Sequence, residues 1–197
     1  IRGVMHNGSR SAANGGSYHV ELEYITMATT GNATDFGDMP EARSGVSGSS
    51  NGIRGIFWAG NHNATPAQIK EMEYITIATT GNSADFGNMV RIVNDHSSCG
   101  NADRNIAAGG YYGSLQDTIE YCNPASTGNT SDFGNLITAQ YMNQCAETAI
   151  RGIITGGYGR VAHENTIQYV TFASTGNGTD FGNLAVGRYS HAGGSGA

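Results

Sequence analysis

The chain has 197 residues, enough for one substantial domain, and contains 30 glycines, only 3 prolines, 13% charged residues and a net charge of −6. The glycines lack the three-residue period of collagen, and alternating runs of Ile, Val, Tyr and Phe argue against disorder. No basic cluster could attract a phosphate backbone and no apolar run approaches the roughly 20 residues of a membrane span, so we expect neither nucleic acid as a partner nor a membrane-spanning segment.

Short β-strands are predicted in a fixed order along the chain. The run "EYITMATT" predicts a strand with both faces at least partly covered, and a further strand follows at about Phe36 to Met39. The small-residue run "SGVSGSSN", from Ser44 to Asn51, predicts the next strand, and "RGIFWAG" and "EYITIATT" predict the two after it. Four strands in roughly 48 residues, bounded by Gly and Asn, are typical of one blade of a β-propeller.

One segment occurs four times, as "TGNATDFGDM" from Thr30, "TGNSADFGNM" from Thr80, "TGNTSDFGNL" from Thr127 and "TGNGTDFGNL" from Thr175. An arginine at the start of an apolar run recurs in step with it. The distance from motif aspartate to arginine is the same from Asp35 to Arg54, from Asp85 to Arg104 and from Asp132 to Arg151. That segment has therefore accepted no insertion or deletion, whereas the loop between each "IRG"-type run and the next "EY"-type run varies in length.

The run "MPEARSGVSGSSNGIRGIFWAGN" resembles the kelch repeat, which has Met, Arg-Ser-Gly-His, small residues, an apolar strand and a double glycine. The double glycine is kept as Gly109-Gly110 and Gly156-Gly157, and the kelch histidine position is filled by His96 and His191. The chain departs from the pattern at the Phe of "DFG", which replaces the kelch Trp, and at Asn7-Gly8 and Ala59-Gly60, which replace the double glycine. The resemblance implies an all-β fold, a β-propeller with four kelch-like four-stranded blades. It implies no activity, because kelch repeats are found in adaptors, viral proteins and one oxidase family.

We expect one domain over residues 1–197, with approximate repeats 1–43, 44–93, 94–140 and 141–186 and with residues 187–197 completing the first blade. The segment "GRYSHAGGSGA", from Gly187 to Ala197, aligns with the small-residue strand that the first repeat lacks. Pairing of this segment with the first blade would close the ring and leave no open edge. Half of a larger ring made by two chains is the alternative.

The sequence "EYITMATTGNATDFGD", from Glu23, is similar to repeats in marine phage (cyanophage-type) virion proteins. This resemblance implies a virion structural or host-attachment protein without enzymatic activity, located in the virus particle and in contact with other virion proteins. Outside a particle we expect a soluble protein. The alternatives are a glycan-binding lectin and a cellular kelch-type adaptor for protein interactions.

We interpret the repeated motif as a structural turn and wedge. Gly and Asn suit positive-φ turn positions, the aspartate can accept backbone N–H bonds, and the Phe can fill space between blades. A calcium loop would need about six to eight oxygen ligands, and an enzyme site should occur once, so we expect no metal, cofactor or catalytic residue. The constant spacing also predicts an aspartate–arginine pair within each blade or across each boundary. The structural residues are Asp35, Phe36, Asp85, Phe86, Asp132, Phe133, Asp180, Phe181, Arg2, Arg54, Arg104 and Arg151.

The three cysteines, Cys99, Cys122 and Cys145, are odd in number and lack a C-x-x-C spacing. They argue against a disulfide framework and a zinc site, and we expect them as buried small residues in strands. No Ser, Cys or Thr forms a singular arrangement with His and Asp, so the sequence offers no candidate nucleophile.

Candidate binding residues lie in the loops between the "IRG"-type and "EY"-type runs. Their mixture of aromatic and polar groups suits stacking on sugars or anchoring of protein contacts, so we expect a protein or glycan partner on this face. The competing interpretation is that exposed loops contain Tyr and His by chance. The residues are Tyr18, His19, His62, Asn63, Tyr111, Tyr112, Tyr158 and Arg160.

Overall fold

A computed structural model describes residues 1–9, 17–62 and 68–194, and within these residues the fold is all-β with no helix. Fifteen strands follow one another as β1 (Arg2–His6), β2 (His19–Thr26), β3 (Thr34–Ser44), β4 (Ser47–Ser50), β5 (Arg54–His62), β6 (Gln68–Thr76), β7 (Ala84–Asn88), β8 (Ser97–Gly100), β9 (Asn105–Ala108), β10 (Thr118–Cys122), β11 (Ser131–Asn135), β12 (Gln144–Glu147), β13 (Arg151–Thr155), β14 (Thr166–Thr171) and β15 (Thr179–Asn183).

Each repeat forms one antiparallel sheet. Strands β4 to β7 form sheet II, β8 to β11 form sheet III and β12 to β15 form sheet IV, each with neighbouring strands in chain order. In the described residues sheet I consists of β1, β2 and β3, and a short pairing of β3 with β5 joins it to sheet II. The predicted order of small-residue, "IRG", "EY" and "DFG" strands is confirmed, except that the "EY" strands end before the predicted "ATT", which forms a turn.

The "DFG" segment is a β-bulge. In sheet II, Met72 pairs with Gly87 and the next residue, Glu73, pairs with Asp85, so Phe86 is left over on the bulged strand. The same shift occurs in the other three sheets. A bulge of this kind needs a residue with positive φ, and the motif glycines have φ between 135° and 149°. This explains why Gly follows Phe in all four copies.

Phenylalanines of the bulges fill the space between successive sheets, as predicted. Phe36 packs with Phe57 and Ile75 of sheet II, and Phe86 packs with Ala107 of sheet III. In the same way Phe133 packs against residues of sheet IV. The core of the described residues therefore consists of three apolar clusters, each shared by two neighbouring sheets.

A second part of the motif locks these sheets together. The backbone N–H of Gly81 donates to the carbonyl oxygen of Phe36 at 2.7 Å, and Ser83 N–H donates to Asp38 O at 2.9 Å. The side chain of Asn82 accepts from Asp38 N–H at 3.0 Å. We call this arrangement the TGN–DFG joint. At the next two joints Gly128 binds Phe86, Thr130 binds Asn88, Gly176 binds Phe133 and Gly178 binds Asn135, at 2.7 to 2.9 Å.

The predicted aspartate–arginine pairs are wrong, because each arginine lies over a tyrosine instead. The guanidinium carbon is 4.3 to 4.6 Å from the ring centroid in the pairs Arg2–Tyr24, Arg54–Tyr74, Arg104–Tyr121 and Arg151–Tyr169. None of the motif aspartates forms an ion pair with these arginines in the described residues. The "IRG" and "DFG" strands are separated by the "EY" strand, whose tyrosine takes the place that the aspartate was expected to fill.

The motif aspartates act within their own turns. The Asp85 carboxylate accepts the N–H of Gly87 at 3.1 Å, and the Asp180 carboxylate accepts the N–H of Gly182 at 3.2 Å. In these two copies the predicted acceptance of backbone N–H groups is confirmed, and it supports the bulge.

Sheets I and IV do not form a fourth TGN–DFG joint in the described residues. Phe181 of sheet IV is 58% exposed, whereas Phe36, Phe86 and Phe133 are 1 to 2% exposed. Ile25 of β2 and Met27 just after that strand are 37% and 65% exposed. The predicted apolar wedge is therefore confirmed in three copies but not in the fourth.

The C-terminal segment starts along its predicted course. Ser190 has φ of 49°, close to the 53° of Asp95 and Met142 at the matching position of earlier repeats. Its N–H donates to Met142 O at 3.0 Å, as Met142 N–H donates to Asp95 O at 2.7 Å. Residues 187–194 form no strand and residues 195–197 lie outside the described residues, so completion of the first sheet by this segment stays a prediction.

Candidate functional site

Two of the predicted binding residues lie in strands rather than in loops. His19 belongs to β2 and His62 to β5, and Arg43 of β3 pairs with both of them in register. The strands extend this far because β3 continues to Ser44 and joins sheets I and II. Tyr18 lies beside this group and forms a backbone bridge with Ser9. The predicted Asn63 lies outside the described residues.

The side chains of this histidine–arginine group have polar partners within the chain. His19 Nδ1 is 2.9 Å from the Glu21 carboxylate and His62 Nδ1 is 3.3 Å from the Glu41 carboxylate. The buried Arg43 lies 3.3 Å from Glu73 and donates to the backbone oxygen of Glu71 at 3.1 Å. Burial raises the pKa of Glu73 and lowers that of Arg43. We interpret the group as a polar link between sheets I and II rather than as a ligand site.

Two other predicted loop tyrosines, Tyr111 and Tyr158, belong to a continuous group of rings. Tyr111 is 5.5 Å from Tyr141, and Tyr141 is 5.6 Å from Tyr158, between ring centroids. Tyr158 then contacts His163 at 5.6 Å and Tyr189 at 5.7 Å. We call these five residues the aromatic row. Tyr111, Tyr158 and Tyr189 are each about 40% exposed, so the row presents ring surface to solvent.

Paired backbone bridges set the positions of the row. Tyr158 N–H donates to Tyr141 O at 2.8 Å and Tyr141 N–H donates to Tyr158 O at 3.2 Å, and Tyr111 exchanges the same two bonds with Asn94. The double glycine before each loop tyrosine allows this close approach, because a Cβ at Gly110 would lie 2.8 Å from the oxygen of Asn94. The aromatic side chains are thus held by a rigid backbone arrangement.

Sequence reasoning missed Tyr141, His163 and Tyr189. A signal for two of them was present, because Tyr141 and Tyr189 stand two residues before the kelch histidine position that His191 and its counterpart Asn143 fill. The predicted residues Tyr112 and Arg160 are exposed in the loops that follow Tyr111 and Tyr158, and neither belongs to the row.

A cavity of about 190 Å³ lies where sheets II, III and IV and the C-terminal segment converge. It is lined among others by Gly45, Asp95, His96, Met142 and Ser190. Burial lowers the pKa of His96 to about 3 and raises the pKa of Asp95 above its usual value. Neither ring nitrogen of His96 has a hydrogen-bond partner among the described residues, so this imidazole is neutral at pH 7.

The three cysteines are free thiols. Cys99 and Cys122 are buried, as predicted, whereas Cys145 is only half-buried. Burial raises the pKa of Cys122 to about 12, and a hydrogen bond with Cys145 together with burial raises that of Cys99. No group of three His, Cys, Asp or Glu side chains in the described ranges is placed to hold a metal ion.

Comparison of the chain with protein-family models and with curated protein sequences finds no match. The kelch and phage-virion resemblances therefore stay predictions. Among residues 1–9, 17–62 and 68–194, no helix is long and apolar enough to cross a membrane.

Proposed function

We propose that the protein is a non-enzymatic kelch-like β-propeller whose repeats are blades and whose aromatic row binds a partner, in a phage virion structural or host-attachment role. The virion role rests on the resemblance of its repeats to virion proteins. The binding role rests on one observation, the exposed aromatic row at the edge that carries the variable loops.

Three features support the blade arrangement. Successive four-stranded sheets contact each other through the same TGN–DFG joint. The small-residue strands of successive sheets contact one another, with β8 next to both β4 and β12. Gly45, Asp95, Met142 and Ser190 all have positive φ and all line one cavity, as four equivalent residues around an axis would.

The chemistry of the row suits a carbohydrate or a protein surface. A tyrosine ring offers a flat apolar face for sugar C–H groups or aliphatic side chains, and its hydroxyl can hydrogen-bond to the same partner. Because backbone hydrogen bonds hold Tyr111 to Asn94 and Tyr141 to Tyr158, little backbone freedom remains to be lost on binding. The row lies on sheets III and IV and the C-terminal segment, so it forms a single site rather than one site per blade.

A glycan-binding lectin is the second candidate, because stacked tyrosines are suited to sugars. We expect wild-type protein to bind a subset of an immobilised oligosaccharide array if this candidate holds, and to bind intact host cells but not the array if the partner is a protein. In either case Tyr158→Ala should weaken binding at least about tenfold, since Tyr158 contacts three other rings of the row.

A matched control is Tyr18→Ala, which removes a loop tyrosine outside the row. Equal binding by wild type and Tyr158→Ala, with both variants folded by circular dichroism, would reject the row as the binding site. The virion role is tested separately by peptide mass spectrometry of purified particles. Recovery of the chain only from the particle-free cell fraction would favour the cellular adaptor.

A further inference from the structure

The cavity of about 190 Å³ between sheets II, III and IV and the C-terminal segment is built from equivalent residues of successive repeats. We call it the central cavity. Its wall is joined by backbone hydrogen bonds in series. Asp95 N–H donates to Gly45 O at 3.3 Å, and Met142 N–H donates to Asp95 O at 2.7 Å. Ser190 N–H then donates to Met142 O at 3.0 Å, so contacts between repeats fix the wall without any ligand.

Several polar atoms of residues that line the central cavity are buried without a hydrogen-bond partner among the described residues. They are both ring nitrogens of His96, Nδ1 of His191 and Oδ1 of Asn143. His96 is only 6% exposed. The other polar atoms of the remaining two side chains are bonded, His191 Nε2 to the Thr155 hydroxyl at 2.9 Å and Asn143 Nδ2 to Ala108 O at 3.3 Å. Buried polar atoms are normally hydrogen-bonded, so this pattern indicates a polar occupant.

The charge of the central cavity is negative. Among the described residues that line it, Asp95 supplies the one carboxylate, and none is Lys or Arg. Burial raises the pKa of Asp95, and only the Asn94 side chain, which donates to its carboxylate at 2.6 Å, favours the ionised form. An anion would be repelled and a neutral ligand would leave the carboxylate without a counter-charge. The cavity therefore favours a cation that donates hydrogen bonds.

We propose that the central cavity binds the primary ammonium group of a small organic amine. An ammonium group has three N–H donors and one positive charge. These match the Asp95 carboxylate, the unpartnered Oδ1 of Asn143 and the acceptor nitrogen of the neutral His96 ring. The inference goes beyond the proposed function, and it uses no residue of the aromatic row.

Two other occupants fit the central cavity less well. A metal ion is held by several carboxylate, imidazole or thiolate ligands, and no group of three His, Cys, Asp or Glu side chains in the described ranges is placed to hold one. Water can bond to the unpartnered atoms of His96 and Asn143, but it brings no charge to Asp95. An ammonium group supplies both the donors and the charge.

Ethylammonium chloride is the simplest probe, because it carries the proposed group on a short apolar chain. NMR of the backbone amides of wild type, at about pH 7 and constant ionic strength, should show saturable shifts at Asp95, Met142 and Ser190. We expect a dissociation constant of about 1 mM, the range reached by ligands of very few non-hydrogen atoms. Ethanol, which lacks the charge, and tetramethylammonium, which lacks N–H donors, should cause no saturable shift.

Three variants test the role of the carboxylate. Asp95→Asn should raise the dissociation constant for ethylammonium at least about tenfold, because the charge-assisted bond is lost. The matched control, Asp103→Asn, removes the same charge from an exposed residue outside the central cavity and should leave the constant unchanged. Ser190→Asp adds a carboxylate to the cavity and should lower the constant about tenfold. Its backbone accepts this change, because φ is 49° at Ser190 and 53° at Asp95.

A lysine side chain of a protein partner carries the same ammonium group as a free amine. Nα-acetyl-lysine amide separates these sources, since tighter binding than that of ethylammonium points to a lysine side chain and weaker binding points to a free amine.

Three results would overturn the proposal. One is folded wild type with no saturable shift, and another is equal binding of ethylammonium by wild type, Asp95→Asn and Ser190→Asp. The third is binding of potassium or tetramethylammonium as tight as that of ethylammonium, because the cavity would then respond to charge alone. Each of these leaves the sugar-array result for the aromatic row unaffected.

Discussion

The joint between sheets II and III and the open edges of sheets I and IV are built from the same motif, yet they differ in burial. Phe86 is 1% exposed and Phe181 is 58% exposed. The bulge itself is the same in both places, with φ of 135° at Gly87 and 141° at Gly182. The local sequence therefore forms the bulge, whereas burial of its phenylalanine comes from the neighbouring repeat, as expected where stability is a sum of repeats and interfaces.

Substitution of the bulge glycine should show the largest difference between an interior joint and an open edge. A Cβ at Gly87 would overlap the backbone carbonyl of Gly128, whereas one at Gly182 would be free in the described residues. We expect Gly87→Ala to lower the free energy of unfolding by about 3 kcal/mol or more, and Gly182→Ala by about 1 kcal/mol from the positive φ alone. Urea denaturation of the monomer measures both. Equal losses would mean that the packing of sheet III on Gly87 contributes nothing.

The two histidines at the kelch position, His96 and His191, allow a second comparison of interior and edge, through the pH dependence of the free energy of unfolding. Burial lowers the pKa of His96 to about 3, below the ordinary value of 6.5, so the unfolded chain binds a proton first as the pH falls. Stability is therefore full above pH 6.5 and is lost progressively toward pH 3, at about 1.4 kcal/mol per pH unit. The pKa of His191, at the C-terminal end, is lowered less because that ring is more exposed.

We expect His96→Asn to remove about 2 kcal/mol of the stability change between about pH 7.5 and about pH 5, and His191→Asn to remove less. Asn is a suitable replacement because Asn143 fills the matching position of sheet IV. The raised pKa values of Glu73 and Asp95 make the folded state more stable as the pH falls, which is opposite to the effect of His96. Because both carboxyl groups are present in wild type and variant, their contributions cancel when the two proteins are compared at the same pH. Urea midpoints at the two pH values measure the effect, and an unchanged pH dependence in His96→Asn would contradict it.

The sequence predicts the strands well because its repeat period aligns four copies of each one. It also predicts that Phe86 is a wedge, since an apolar residue inside a polar turn needs a burial partner. The arginine partner was not predictable from spacing alone, because only the strand order shows that Tyr74 stands between Arg54 and Asp85. The aromatic row was only half predicted, because its rings come from segments far apart in the chain that meet through backbone bridges.

The repeated arginines should show the smallest difference in unfolding free energy between an interior joint and an open edge. Arg104 lies 4.5 Å above the Tyr121 ring and also donates to Phe172 O of sheet IV at 2.6 Å. Arg151 keeps the ring contact, at 4.3 Å from Tyr169. We expect Arg104→Gln to cost about 1.5 kcal/mol and Arg151→Gln about 0.5 kcal/mol in urea denaturation of the monomer. The difference measures the bond to the neighbouring repeat together with the contact of Arg104 with the Phe133 ring at 5.7 Å, because the contact with tyrosine is common to both arginines. If the two costs are the same, the cation–π contact alone explains the arginine in every repeat, and the bond across the joint adds no stability.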